Sequence, residues 1–199
     1  MKRFSGLLFF IIPVFYLMVS GCNTGKEQDK QDEVITVSIL PQQYFVDKLS
    51  GNRFEVNVMI PPGASPVTYE PSPKQIQRVG NSMAYLRIGH IVFEQAWMGR
   101  IKTANPDIKV FDQSKNVDLI AHGQSSTKTG HRPGKGGIDP HIWLSPEAVK
   151  IQVKNIKNML ISLDSANREQ YSENCQSLVA KIDSLDAQIH NSLEGIDNR

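Results

Sequence analysis

Two histidines hold the clearest chemical potential in this sequence. His90 follows the apolar run at residues 83–88 after a single glycine, and His141 sits within Asp139-Pro140-His141-Ile142-Trp143. A neutral imidazole nitrogen binds transition metals near pH 7. Two of them at one place supply half of a tetrahedral site. The alternative for each is a hydrogen-bonded structural histidine. His122 and His131 fall in residues 117–137, rich in Gly, Ser, Thr and Lys, which read as a mobile surface loop; there they read as bystanders. Asp139 and Glu94 are candidates for a carboxylate pair, but nothing in the sequence places them together. No Gly-x-Ser-x-Gly elbow, Walker loop or His-Glu-x-x-His helix is present, so enzyme readings find no anchor.

A third feature is residues 61–73, Pro-Pro-Gly-Ala-Ser-Pro-Val-Thr-Tyr-Glu-Pro-Ser-Pro. Five of these thirteen residues are proline, which fixes φ and lacks an N–H. The stretch predicts a rigid, extended loop outside any helix interior or central strand.

The elements around these features alternate. Residues 34–40 read as a strand stopped by Pro41, and 42–49 as a helix with Gly51 at its C-cap. Residues 54–60 predict a second strand, 74–79 a short helix, 83–88 a third strand. Residues 93–103 predict a helix with Phe93, Trp97 and Ile101 on one face, and 108–111 a fourth strand. Ser145-Pro146-Glu147 is a helix start with a serine cap, a proline in the first turn and an acid near the N-terminus. Val149, Val153, Ile156, Leu160 and Leu163 form its apolar stripe. A long amphipathic helix starts near Asn167, with Tyr171, Cys175, Leu178, Ile182, Leu185, Ile189 and Leu193 at steps of three and four. The fold class is therefore α/β: a four-stranded, mostly parallel sheet flanked by helices, then a long amphipathic helix. In such a sheet the proline loop, His90 and His141 all gather at the carboxyl ends of the strands.

Met1-Lys2-Arg3, an apolar run at 7–19 and Val19-Ser20-Gly21-Cys22 read as a signal peptide ending in a lipobox-like cysteine. Residues 1–21 are then signal and Cys22 the lipidated N-terminus, anchoring the chain to a membrane of the periplasm or cell envelope. Residues 22–33 are a polar tether. Losing Lys2 and Arg3 leaves 20 of the 22 basic residues against 20 acidic ones. No global basic field exists to attract nucleic acid. With Cys22 lipidated, Cys175 has no disulfide partner and reads as a buried small hydrophobe.

Four stretches together resemble the periplasmic solute-binding lipoproteins of zinc- and manganese-type ABC importers. They are Ser38-Ile39-Leu40-Pro41; Pro61-Pro62-Gly63-Ala64-Ser65-Pro66 with Thr68-Tyr69-Glu70-Pro71; Phe93-Glu94-Gln95-Ala96-Trp97; and Asp139-Pro140-His141-Ile142-Trp143-Leu144-Ser145-Pro146. The resemblance implies two α/β lobes joined by one long helix, with a divalent metal held between them. It implies a chain with no enzymatic activity that captures zinc, or alternatively manganese, for an ABC permease. It assigns 34–165 to an N-terminal metal-binding lobe and 166–199 to the linking helix, with the family's C-terminal lobe absent. His141 matches a family ligand position. The family's first ligand histidine corresponds to Val67, which cannot coordinate metal. His90 is the candidate replacement, with Glu94 as an added oxygen ligand or as the group that orients His90; the alternative is that His90 only caps the helix after it. A second functional reading is a divergent lobe without transport activity, acting as a surface interaction or adhesion protein.

Overall fold

A computed structural model describes residues 33–121 and 137–195. Four strands form one sheet: β1 (Val34–Val37), β2 (Glu55–Val58), β3 (Ala84–Arg87) and β4 (Lys109–Asp112). Their order is β2-β1-β3-β4, and all three pairings are parallel. The intervening helices are α1 (Leu40–Ser50), α2 (Pro73–Gly80) and α3 (Val92–Ala104). A 3-10 turn, Ile142–Leu144, then leads into α4 (Pro146–Leu163) and α5 (Arg168–Leu193). The expected α/β architecture is the observed one. No described helix is long and apolar enough to cross a membrane.

The observed strands are shorter than their apolar runs. Residues 34–40 are nearly all apolar, yet helix begins at Leu40. Pro41 does not merely stop the strand; it sits in the first helical turn, where a missing N–H costs nothing. The Gln42 side chain reaches back and accepts from the backbone N–H groups of Ser38 and Ile39 at 2.9 and 3.0 Å. The proline stretch also differs from expectation, because it is turned rather than extended. Ala64 N–H donates to Pro61 O at 3.1 Å, with Gly63 at φ 82°. Proline second and a left-handed glycine third is the pattern of a type II turn. Tyr69 N–H donates to Ser65 O at 2.9 Å and closes a second turn around Val67.

Side chains alternate across the sheet because the strand period is two. Ile35, Val37 and Leu86 face Val46 and Leu49 of α1, Val153, Ile156 and Leu160 of α4, and Tyr171 of α5. Met59, Tyr85 and Ile88 lie on the other side with Val79 of α2 and Phe93 and Ile101 of α3. Thr36 is buried on that second side, and it is satisfied by Ser82 Oγ at 2.6 Å and Asn57 Nδ2 at 3.0 Å. Ser145 caps α4 as its position before Pro146 implies, its Oγ accepting from Ala148 N–H.

The long helix divides its stripe. Tyr171, Cys175, Leu178 and Ile182 are buried, whereas Leu185, Ile189 and Leu193 are 52, 40 and 57 % exposed. Leu178→Ala should therefore destabilise by about 2–5 kcal/mol, as truncations of buried leucine do. Ile189→Lys should move stability by no more than about 0.5 kcal/mol while lowering the binding of a hydrophobic dye. Urea melts and dye fluorescence of the two variants read both effects.

Candidate functional site

Parallel pairing puts the carboxyl ends of all four strands on one edge. The chain leaves β2 into the proline loop, leaves β3 through Gly89-His90, and leaves β4 toward the segment that carries His141. A cleft of about 590 Å³ opens there, lined by Pro66, Val67, His90, Gln95, His141 and Trp143 among others. The structure thus brings together the two histidines and the valine that the sequence reading singled out separately.

His141 is held by its own neighbour. One carboxylate oxygen of Asp139 accepts from the His141 backbone N–H at 2.9 Å and meets ring Nδ1 at 2.6 Å. A neutral imidazole that donates Nδ1–H to a carboxylate carries its lone pair on Nε2. This is the arrangement that orients metal-binding histidines and raises their basicity. The Trp143 ring lies 5.2 Å from the imidazole, and the side chain is 56 % exposed. Asp139 therefore serves His141, while the Glu94 carboxyl is engaged by Ser38 and by the backbone N–H groups of Ile88 and Gly89.

His90 sits in a strained turn. Gly89 and His90 take φ 85° and 63°, both left-handed, and such conformations persist only where surroundings hold them. The holding group is Glu94. Its side chain is buried and accepts from Ile88 N–H at 2.7 Å and Gly89 N–H at 2.9 Å. Ser38 Oγ donates to the same carboxylate, and the Tyr85 hydroxyl meets Ser38 Oγ at 2.8 Å. Burial pushes the Glu94 carboxyl above its usual value of 4.5, against the lowering effects of Ser38, the two backbone amides and Arg87. Glu94 thus meets the backbone that precedes His90 instead of its ring. The N-cap of α3 is Ile91, with no side-chain cap bond, so capping by His90 is not what places it.

Val67 is 66 % exposed at the crest of the second turn. Among the described residues no group of three or more His, Cys, Asp or Glu is placed to hold a metal ion. Cys22, His122 and His131 lie outside the described residues. Cys175 is buried, as expected. Sequence reasoning missed three glutamines: Gln42, Gln113 and Gln152 are fully buried and hydrogen-bonded in series. Glutamine has no characteristic pattern in sequence, so only the fold reveals them.

Comparison with known proteins accounts for this architecture. The chain is 28 % identical over 195 residues to the high-affinity zinc uptake system protein ZnuA of Bacillus subtilis (strain 168), covering 93 % of this chain and 60 % of that one. It is 31 % identical over 205 residues to the iron ABC transporter substrate-binding lipoprotein MtsA of Streptococcus pyogenes serotype M1, covering 98 % and 62 %. A crystal structure of ZnuA superposes with a TM-score of 0.74 at 35 % identity, over 84 % of this chain and 61 % of that one. The chain thus spans about three fifths of the length of these relatives. Residues 35–199 match the model of the periplasmic zinc-uptake complex component A family, and the chain belongs to that family.

Proposed function

We propose that this chain is the metal-capturing part of a substrate-binding component of an ABC importer, with zinc as cargo and manganese as the alternative. The observation that carries the reading is the cleft lined by both His90 and His141, with Asp139 on Nδ1 leaving the Nε2 lone pair of His141 to bind. Two nitrogen donors favour zinc over calcium or magnesium, which take oxygen. They make half of a tetrahedral set. Binding and release need no nucleophile or general acid, so the chain is not an enzyme. Cys22 carries the lipid, 22–33 the tether, 34–165 the metal-binding lobe and 166–199 the linking helix. The permease is the downstream partner, and the site of action is the periplasm or cell envelope.

Zinc titration tests the reading directly. His141→Ala should weaken zinc binding at least about tenfold, and Asp139→Ala by about 10–100-fold, as loss of a histidine-orienting carboxylate does. His90→Ala should weaken it comparably, and an unchanged affinity would remove His90 from the ligand set. Parallel titrations with manganese and ferrous iron rank the cargo.

The second reading is a surface interaction protein. Val67 at the crest of the loop and the exposed Leu185, Ile189 and Leu193 favour it. Absence of zinc, manganese and iron binding in these titrations would leave this reading standing.

A further inference from the structure

The three buried glutamines form one hydrogen-bonded chain. Gln42 Nε2 donates to Leu86 O at 2.9 Å and to Gln113 Oε1 at 2.8 Å. Gln113 Nε2 donates to Gln152 Oε1 at 2.8 Å, and Gln152 Nε2 donates to Ile142 O at 2.8 Å. At its start, Gln42 Oε1 takes the backbone N–H groups of Ser38 and Ile39. All three side chains are fully buried.

This chain of amides runs across the molecule. It starts at the β1–α1 junction, touches β3 at Leu86, passes the end of β4 at Gln113, crosses α4 at Gln152 and ends on the turn that carries His141. Leu86 lies on the strand that delivers His90. The two histidine-bearing segments are therefore joined through fixed side chains. Each amide uses its oxygen to accept and its nitrogen to donate, so the chain has one direction and no slack. A buried polar series of this kind is stable only if every member is satisfied. Packing alone would accept a leucine or methionine at each position. Three glutamines in series instead fix the register of one segment against another.

We infer that Gln42, Gln113 and Gln152 are positioning residues for the metal cleft: they set the His141 turn relative to the β3 end that carries His90. The inference rests on the reading of that cleft as the metal site. Gln152→Met keeps the length and volume of the side chain and removes both of its hydrogen bonds. It frees the Ile142 carbonyl and lets residues 141–144 shift. The Asp139–His141 contact is local and survives, so the loss reads as misplacement of an intact ligand.

The test is zinc titration of the whole chain carrying Gln152→Met, beside Val153→Ala and His141→Ala. Val153 is its fully buried neighbour in the apolar core, and its truncation destabilises the fold without touching the amide chain. Gln152→Met should weaken zinc binding about tenfold, and amide exchange at Leu144, whose N–H is bonded to His141 O, should quicken. Val153→Ala should lower the melting temperature and leave the zinc affinity within about twofold. Equal losses in Gln152→Met and Val153→Ala would mean general destabilisation and overturn the inference. So would full affinity in Gln152→Met while His141→Ala loses it. If His141→Ala itself binds zinc normally, the reading of the cleft fails first, and the inference falls with it. Should Gln152→Met not fold, Gln113→Met breaks the same chain one link earlier and is read by the same comparison.

Discussion

Gly89→Ala is expected to lower the unfolding free energy by about 2–5 kcal/mol, from two separate causes. The first is backbone. Gly89 has φ 85°, a left-handed conformation that costs an L-residue roughly 1–2 kcal/mol. The second is space. A methyl group at Gly89 would sit 2.5 Å from Ser114 Oγ and 3.0 Å from Ser114 Cβ. Ser114 cannot easily retreat, because its hydroxyl donates to Asp112 Oδ1 at 2.6 Å and its N–H to the same oxygen at 2.9 Å. Overpacking of this kind costs about 1–3 kcal/mol. At roughly 2–4 °C per kcal/mol for a chain of this size, the melting temperature should fall by about 10 °C. Ser114→Gly in the Gly89→Ala background separates the causes. It removes the clash and leaves the backbone cost, so the double variant should recover part of the loss and stop short of wild type. Thermal melts of the three proteins measure this, and a Gly89→Ala protein that melts within about 2 °C of wild type would show that the turn relaxes at no cost. The same turn sets the direction in which His90 enters the cleft, so zinc affinity should fall along with stability.

That turn also marks where sequence reading succeeds and where it stops. The order of strands and helices was legible because apolar runs and periodicities survive in a linear string. Parallel pairing then put the proline loop, His90 and His141 at one edge by topology alone. Strand ends were less legible. Leu40 continues an apolar run and still begins a helix, since Pro41 and the Gln42 side chain decide the boundary through groups that hydropathy does not register. Val67 and Pro66 belong to turns that an extended proline loop would not form. Glu94 was readable as an acid near His90, but not as the acceptor for Ile88 and Gly89. Its carboxylate turns inward because two amides of a left-handed turn need a partner. The glutamine chain was invisible for the same reason: its members are up to 110 residues apart in sequence and meet only once the sheet is assembled.

The long helix was readable in period but not in extent of cover. All seven stripe positions look alike in sequence. The stripe is buried up to Ile182 and exposed from Leu185 on, and α1 and α4 pack on α5. Beyond Ile182, Leu185 and Ile189 join Tyr44, Trp143 and Leu144 along an open apolar groove of about 300 Å³. Trp143 lines both this groove and the cleft of His141, so the 3-10 turn stands between the two.

Glu94→Leu should be the other severe substitution, at about 3–5 kcal/mol, because it strands three buried donors at once: the Ser38 hydroxyl, Ile88 N–H and Gly89 N–H. Glu94→Gln keeps one acceptor oxygen and should cost about 1–2 kcal/mol. The pH dependence identifies the cause. Burial raises the carboxyl of the folded chain above the value of 4.5 that it has when unfolded, so the folded chain keeps its proton to higher pH. Between those two values the folded state binds more protons than the unfolded state, and stability falls as pH rises. The contribution of protonated Glu94 is complete below 4.5 and lost as pH climbs through the raised value. Glutamine cannot titrate, so Glu94→Gln lacks this slope. The stability difference between wild type and Glu94→Gln, followed by urea denaturation from mildly acidic to neutral pH, should therefore shrink with rising pH. A difference that grows instead would mean that the backbone amides and Ser38 outweigh burial. Glu94 would then be held as a carboxylate at the base of the His90 turn, stabilised by those donors throughout the neutral range.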